Sequence, residues 1–259
     1  MKQKRYLLIS LLIFCLFVTL QWGYANTTIL SNYRYGLTFK AHTVNQDQRT
    51  SLDLTPDRSL HLGNKFSLSF DIKLREELHT YGYVFRIISD DTSSCLDFIS
   101  YQLRSKFNFI LNKGSSIVEN VDFIDSTQIV KDEWIKIRLD FTEQGIKISV
   151  NEATQTMRHS FKDFNNLSFL FGSNRHPKYY TTDVPPVSLR NIELYNQDGR
   201  IIRCWKLALH NRKGETMDEV EAQRAIVQNG IWEIDRHYNW QKEKSLKFDS
   251  KKFQCQNLQ

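Results

Sequence analysis

Little in this sequence is available for metal or redox chemistry. The 259 residues hold four cysteines, and no Cys-x-x-Cys occurs, which excludes a zinc ribbon. If Cys15 leaves with an N-terminal leader, Cys95, Cys204 and Cys255 remain, too few for a disulfide framework. They form one bridge and a free thiol, or stay unpaired. Seven histidines are scattered, with no His-Glu-x-x-His. There is no Gly-x-Ser-x-Gly elbow, and ten glycines are too sparse for a phosphate-binding loop. No internal repeat or low-complexity tract stands out.

Charge of one sign is also scarce. The formal net charge of +6 includes Lys2, Lys4 and Arg5, and falls to +3 once residues 1–25 are set aside. No Lys/Arg cluster of the nucleic-acid-binding kind is present, so no nucleic-acid partner is expected.

One long apolar run occurs, and it is N-terminal. The basic start is followed by apolar residues 6–20, and Gly23-Tyr24-Ala25 places small residues where a signal peptidase reads. An apolar core of about 15 residues is short for a membrane span, which needs about 20. Residues 1–25 are therefore expected to be a signal peptide, with an uncleaved anchor as the alternative. The mature chain is expected to be secreted, periplasmic or on the cell surface, with no membrane span.

What is abundant is alternation. Apolar residues make up 41%, with 17 Phe and 11 Tyr, a composition suited to strands. In EWIKIRLDFTEQGIKISVN (133–151), Ile135, Ile137, Leu139 and Phe141 alternate with polar residues. Ile146, Ile148 and Val150 do the same after a four-residue connection containing Gly145. A period of two predicts a half-buried β-hairpin. FSLSFDIKL (66–74) alternates equally cleanly, and YVFRII (83–88) is apolar on both parities, as in a central strand covered on both sides. Further strands are expected at 36–39, 50–54, 96–103, 107–111, 117–123, 167–171, 187–195 and 200–207. DEVEAQRAIVQ (218–228), with acids at its start and Asn229-Gly230 after it, predicts one peripheral helix. Many short strands with one helix predict an all-β, two-sheet antiparallel jelly-roll sandwich over residues 26–210. Residues 211–259 are expected to supply the helix and a tail leading into a second domain.

The order FSLSFDIKL, EWIKIRLDF, IKISVN, LSFLFG and VSLRNIELYN resembles laminin-G-like, or concanavalin A-like lectin/glucanase, domains. Trp134 and Ile192-Glu193-Leu194-Tyr195-Asn196 match their usual features, whereas Val150-Asn151-Glu152 lacks the family's final Gly. RCWKL (203–207) and GIWEID (230–235) resemble secreted proteins of Bacteroidetes-type bacteria, in which such a domain precedes a kelch-like β-propeller. The resemblance implies a glycan- or cell-surface-protein-binding module with an adjacent propeller as a further partner.

The candidate site is the loop SNRHPKYYTTDVPP (173–186). Tyr179 and Tyr180 could stack on sugar rings, while Arg175, His176 and Asp183 hydrogen-bond hydroxyls. The alternative is that both tyrosines pack the loop onto the sheet rim or onto the expected second domain. Asp90, Asp91 and separately Asp183 could ligate calcium, the one cofactor left open, although no Asp-x-Asp-x-Asp-Gly loop occurs. Glu233 and Asp235 invite comparison with glycoside hydrolases on the same sandwich. The next position on their face is His237 rather than a second acid, so no catalytic residue is expected. Trp205, Trp232 and Trp240 are candidates for a sugar platform, with core or interdomain packing as the alternative. The function expected is non-catalytic binding, with a glycoside hydrolase or a structural remnant as alternatives.

Overall fold

The computed structural model describes residues 34–77, 81–101, 106–124, 129–161, 166–208 and 214–234. The expected signal peptide, Asp235, His237, Trp240, Cys255 and the expected propeller junction lie outside the described residues.

Sixteen strands are described. They are β1 Tyr35–Thr38, β2 Ser51–Asp53, β3 Phe66–Leu74, β4 Tyr81–Ser89, β5 Ser94–Tyr101, β6 Lys106–Lys113, β7 Ser116–Ile124 and β8 Trp134–Thr142. They continue with β9 Gly145–Val150, β10 Ala153–Met157, β11 Leu167–Gly172, β12 Val187–Tyr195, β13 Ile201–Trp205, β14 Glu215–Met217, β15 Arg224–Gln228 and β16 Ile231–Ile234. The first sheet runs β10-β9-β8-β3-β12-β1-β16, with β13 also paired to β12; the second runs β14-β15-β2-β11-β4-β5-β6-β7. The fold is an all-β, two-sheet antiparallel sandwich.

The alternation read from the sequence sets the core. Phe66, Leu68, Phe70 and Ile72 of β3 lie opposite Phe141, Leu139, Ile137 and Ile135 of β8, Leu74 lies opposite Val187 of β12, and all are buried. Register turns into ring contact: Phe66 and Phe141 are cross-strand partners and stack at 4.3 Å, as do Phe98 and Phe109 across β5 and β6. The β8–β9 hairpin closes on the Thr142–Gly145 pair, so only Glu143 and Gln144 form the loop. Gly145 has φ +152°, and a Cβ there would lie 2.1 Å from the Met157 carbonyl oxygen of β10. In β12 the buried parity changes from Val187 and Leu189 to Ile192 and Leu194. A register shift between Arg190 and Glu193, with Asn191 at φ +53°, supplies the extra residue.

The expected helix at 218–228 is not formed. Asp218 is followed by a turn, and residues 224–228 are strand β15. Asp218 is only 2% exposed, and its carboxylate accepts from the backbone N–H groups of Val220, Glu221 and Gln223. Ala222 has φ +56°, which no helix interior adopts. An acid that reads as a helix start instead caps a turn. Ala225 and Val227 then alternate with outward Arg224, Ile226 and Gln228, and β15 pairs with β2. The chain from Glu215 to Gln228 thereby completes the second sheet.

Candidate functional site

The outer face of the second sheet supplies the floor of the site. Leu52, Phe169, Phe171, Ala225 and Val227 point into the core, which turns their strand neighbours outward. Ser51 and Asp53 of β2, Ser168 and Leu170 of β11, and Ile226 and Gln228 of β15 accordingly line a cavity of about 550 Å³. One wall is Ser173, Asn174, Arg175, His176, Tyr180, Thr181 and Thr182. Gln46, Asp47 and Arg49, around the short 3-10 turn, close one end with Asn229. Leu170 and Ile226 are the only outward-facing aliphatic side chains in the lining.

The loop holding that wall is pinned along its length. Asn174 and Thr181 exchange backbone hydrogen bonds at 2.9 and 3.2 Å, closing a small lobe that contains Arg175, His176, Tyr179 and Tyr180. The Asn174 carboxamide oxygen accepts from the His176 N–H, and His176 Nδ1 accepts from the N–H groups of Lys178 and Tyr179. Burial, followed by the charges of Arg86 and Lys178, lowers the His176 pKa. With Nδ1 accepting both bonds, the proton of the neutral imidazole sits on Nε2. At the far end, Gly82 lets the chain cross β4 closely: a Cβ there would lie 2.4 Å from Pro185 N.

The five loop residues expected to act together are divided. Arg175, His176 and Tyr180 line the cavity, and Tyr180 is 59% exposed. Tyr179 turns down instead. Its hydroxyl donates to the Thr92 carbonyl at 3.1 Å, where Lys178 Nζ also donates at 2.8 Å. Asp183 faces the other side of the loop, with His42 Nε2 at 3.4 Å, Arg49 Nη1 at 3.8 Å and the Tyr81 hydroxyl at 3.4 Å. Tyr179 thus takes the packing alternative, whereas Tyr180 is exposed beside the cavity.

Beneath the loop, Arg86 of β4 and Asp97 of β5 are cross-strand partners on the outer face. Arg86 Nε lies 2.9 Å from Asp97 Oδ1, and the two residues are only 7% and 6% exposed. Asp97 also accepts from Asn112 Nδ2 at 3.2 Å and from the Cys95 thiol at 3.3 Å. Burial raises the Asp97 pKa, against the opposing pull of Arg86. Burial raises the Cys95 pKa too, helped by Asp97. Cys95 and Cys204 are both buried free thiols.

Asp90 and Asp91 sit on the turn after β4. Asp91 Oδ1 accepts from Ser89 Oγ at 2.7 Å and the Ser93 N–H at 2.9 Å, so it shapes the turn. Among the described residues, no group of three or more His, Cys, Asp or Glu is arranged to hold a metal ion. Glu233 of β16 accepts from Thr38 Oγ1 at 2.6 Å, and Thr38 Oγ1 lies 2.7 Å from Ser188 Oγ. Trp205 is fully buried, and Trp232 packs partly buried against the core. Trp134 is covered by cations, with Arg190 Cζ 4.1 Å and Lys73 Nζ 5.1 Å from its ring.

Sequence reasoning found one wall of the site and missed the floor, the Gln46–Arg49 end and the Arg86–Asp97 support. One signal was present: a single charge inside each of two otherwise apolar strands, YVFRII and SCLDFIS.

No family model and no curated protein matches this sequence. Among solved structures, the chain is similar to a heptameric SAP-like pentraxin from Limulus polyphemus, at 11% identity and a TM-score of 0.46, over 62% of this chain and 75% of that one. It is also similar to domains LG4-5 of the mouse laminin alpha1 chain, at 11% identity and a TM-score of 0.47, over 66% of this chain and 46% of that one. A third similarity is to an alginate lyase of polysaccharide lyase family 7, at 14% identity and a TM-score of 0.41, over 56% of this chain and 70% of that one.

Proposed function

We propose that this chain is a non-catalytic, laminin-G-like carbohydrate-binding sandwich, secreted or displayed at the cell surface after loss of residues 1–25. The reading rests on one observation: an exposed Tyr180 ring beside a 550 Å³ cavity lined mainly by amide, hydroxyl and charged side chains. A sugar ring has an apolar C–H face and a periphery of hydroxyls. An aromatic face accepts the first, while Asn, Gln, Ser, Thr and Arg groups satisfy the second. The size suits a short oligosaccharide. Glu233, the acid that suggested hydrolysis, is engaged by Thr38 on the first sheet.

Titration calorimetry with laminarin, xylan, galactomannan and alginate, paired with assays for reducing ends and for unsaturated lyase products, tests the reading. Saturable binding without product formation supports it. Product formation would favour an enzyme, and a cooperative melt with no binding to any of the four would favour a structural remnant.

A further inference from the structure

We infer that Arg86 is a positioning residue for the Tyr180 site, holding the binding loop in place through its backbone. The inference rests on the binding reading above for its functional meaning, but its geometry stands alone. Arg86 and Asp97 project from the outer face of a sheet, where charged side chains normally meet water. They are buried because the loop lies over them. Arg86 Nη1 donates to the Tyr179 carbonyl and lies 3.5 Å from the Tyr180 carbonyl. Its guanidinium is stacked 3.9 Å from the Tyr83 ring centroid, which fixes its plane. Asp97 pairs with the guanidinium as an ion pair, Oδ1 lying 2.9 Å from Nε without hydrogen-bond geometry, and Asn112 and the Cys95 thiol hold Asp97. A chain of polar contacts thus runs from the sheet to the backbone of the residue whose ring faces the cavity.

A buried ion pair is weak evidence for stability, because desolvation offsets most of its attraction, and a well-packed apolar pair often replaces it without loss. What an apolar pair cannot replace is a planar guanidinium that lies against a carboxylate along one edge while it donates to loop carbonyls from another nitrogen. Loops also tend to have low local stability. A guanidinium at this place removes that freedom before a ligand arrives, which lowers the ordering cost of binding.

The test uses the full chain in two variants. R86M/D97L replaces both charges with apolar groups, and R86K keeps a cation for Asp97 but loses the planar guanidinium. Hydrogen exchange is followed at the Thr181 amide, which donates to the Asn174 carbonyl, and affinity is measured with the same four polysaccharides. The expected result is at least tenfold faster exchange at Thr181 and at least tenfold weaker binding. Exchange in β4 and β5 and the melting temperature should stay near wild type. If R86M/D97L does not fold, R86K alone decides. Wild-type exchange at Thr181, or wild-type affinity in a folded variant, overturns the inference. If the unmodified protein binds none of the four, the function reading fails separately, and Thr181 exchange decides whether Arg86 positions the loop.

Discussion

Glu119 Oε2, on the edge strand of one sheet, lies 2.9 Å from His159 Nδ1, just past the edge strand of the other. The same carboxylate accepts the backbone N–H groups of Arg158 and His159, each at 2.9 Å. Gln155 Nε2 adds a bond to the Asp122 carbonyl at 2.6 Å. These contacts clasp β7 to β10 where the sandwich would otherwise be open.

The clasp makes stability pH-dependent. Burial alone would raise the Glu119 pKa, but the bonds from Arg158 and His159 outweigh it and hold the carboxyl below its ordinary value of 4.5. Its contribution is therefore complete above pH 4.5 and is lost as pH falls through the lower folded-state value. In E119Q, the melting temperature should fall less between pH 7 and pH 3 than in the unmodified protein. Parallel curves would contradict the clasp.

Gly82 tests how closely the loop crosses β4. A Cβ would collide with backbone atoms of Val184 and Pro185, so G82A should cost about 1–3 kcal/mol. It should also raise hydrogen exchange across residues 181–184, read by mass spectrometry of peptides. A neutral effect on both would mean that the loop end has room to move.

Asp218 is the residue whose environment most departs from its sequence signal. D218A leaves the N–H groups of Cys204, Val220, Glu221 and Gln223 without this acceptor. The expected loss is about 3 kcal/mol, on the order of 10 °C in melting temperature. D218N, which keeps one acceptor oxygen, should lie between the two. Equal melting temperatures for D218A and the unmodified protein would contradict the capping role.

The fold was legible wherever a strand had one wet face. Residues 66–74 and 133–151 showed period two because their outward positions carry Ser, Asp, Lys and Arg. Legibility failed where side-chain chemistry replaced periodicity. Asp218 and the acidic start of the stretch after it carry helix signals, yet the carboxylate binds the nearest backbone donors and Ala222 turns left-handed. β10 escaped notice because ATQTM shows solvent on nearly every position. The site was half legible for a related reason. A loop rich in Tyr, Arg and His advertises itself, but its floor comes from Ser51, Ser168 and Gln228, unremarkable residues on strands far apart in sequence. Only the sheet order β15-β2-β11 brings them side by side.

The central claim is that carbohydrate binds against Tyr180 on the outer face of the second sheet. Backbone amide NMR during titration with laminarin, xylan, galactomannan and alginate tests it most directly. Shifts should concentrate at Ser51, Ser168, Tyr180, Thr181 and Gln228. Y180A, which removes an exposed ring, should leave the melting temperature unchanged and weaken binding by about 1 kcal/mol, roughly five- to tenfold in Kd. Shifts centred on Trp134 and Arg190 of the first sheet, or wild-type affinity in Y180A, would contradict the account.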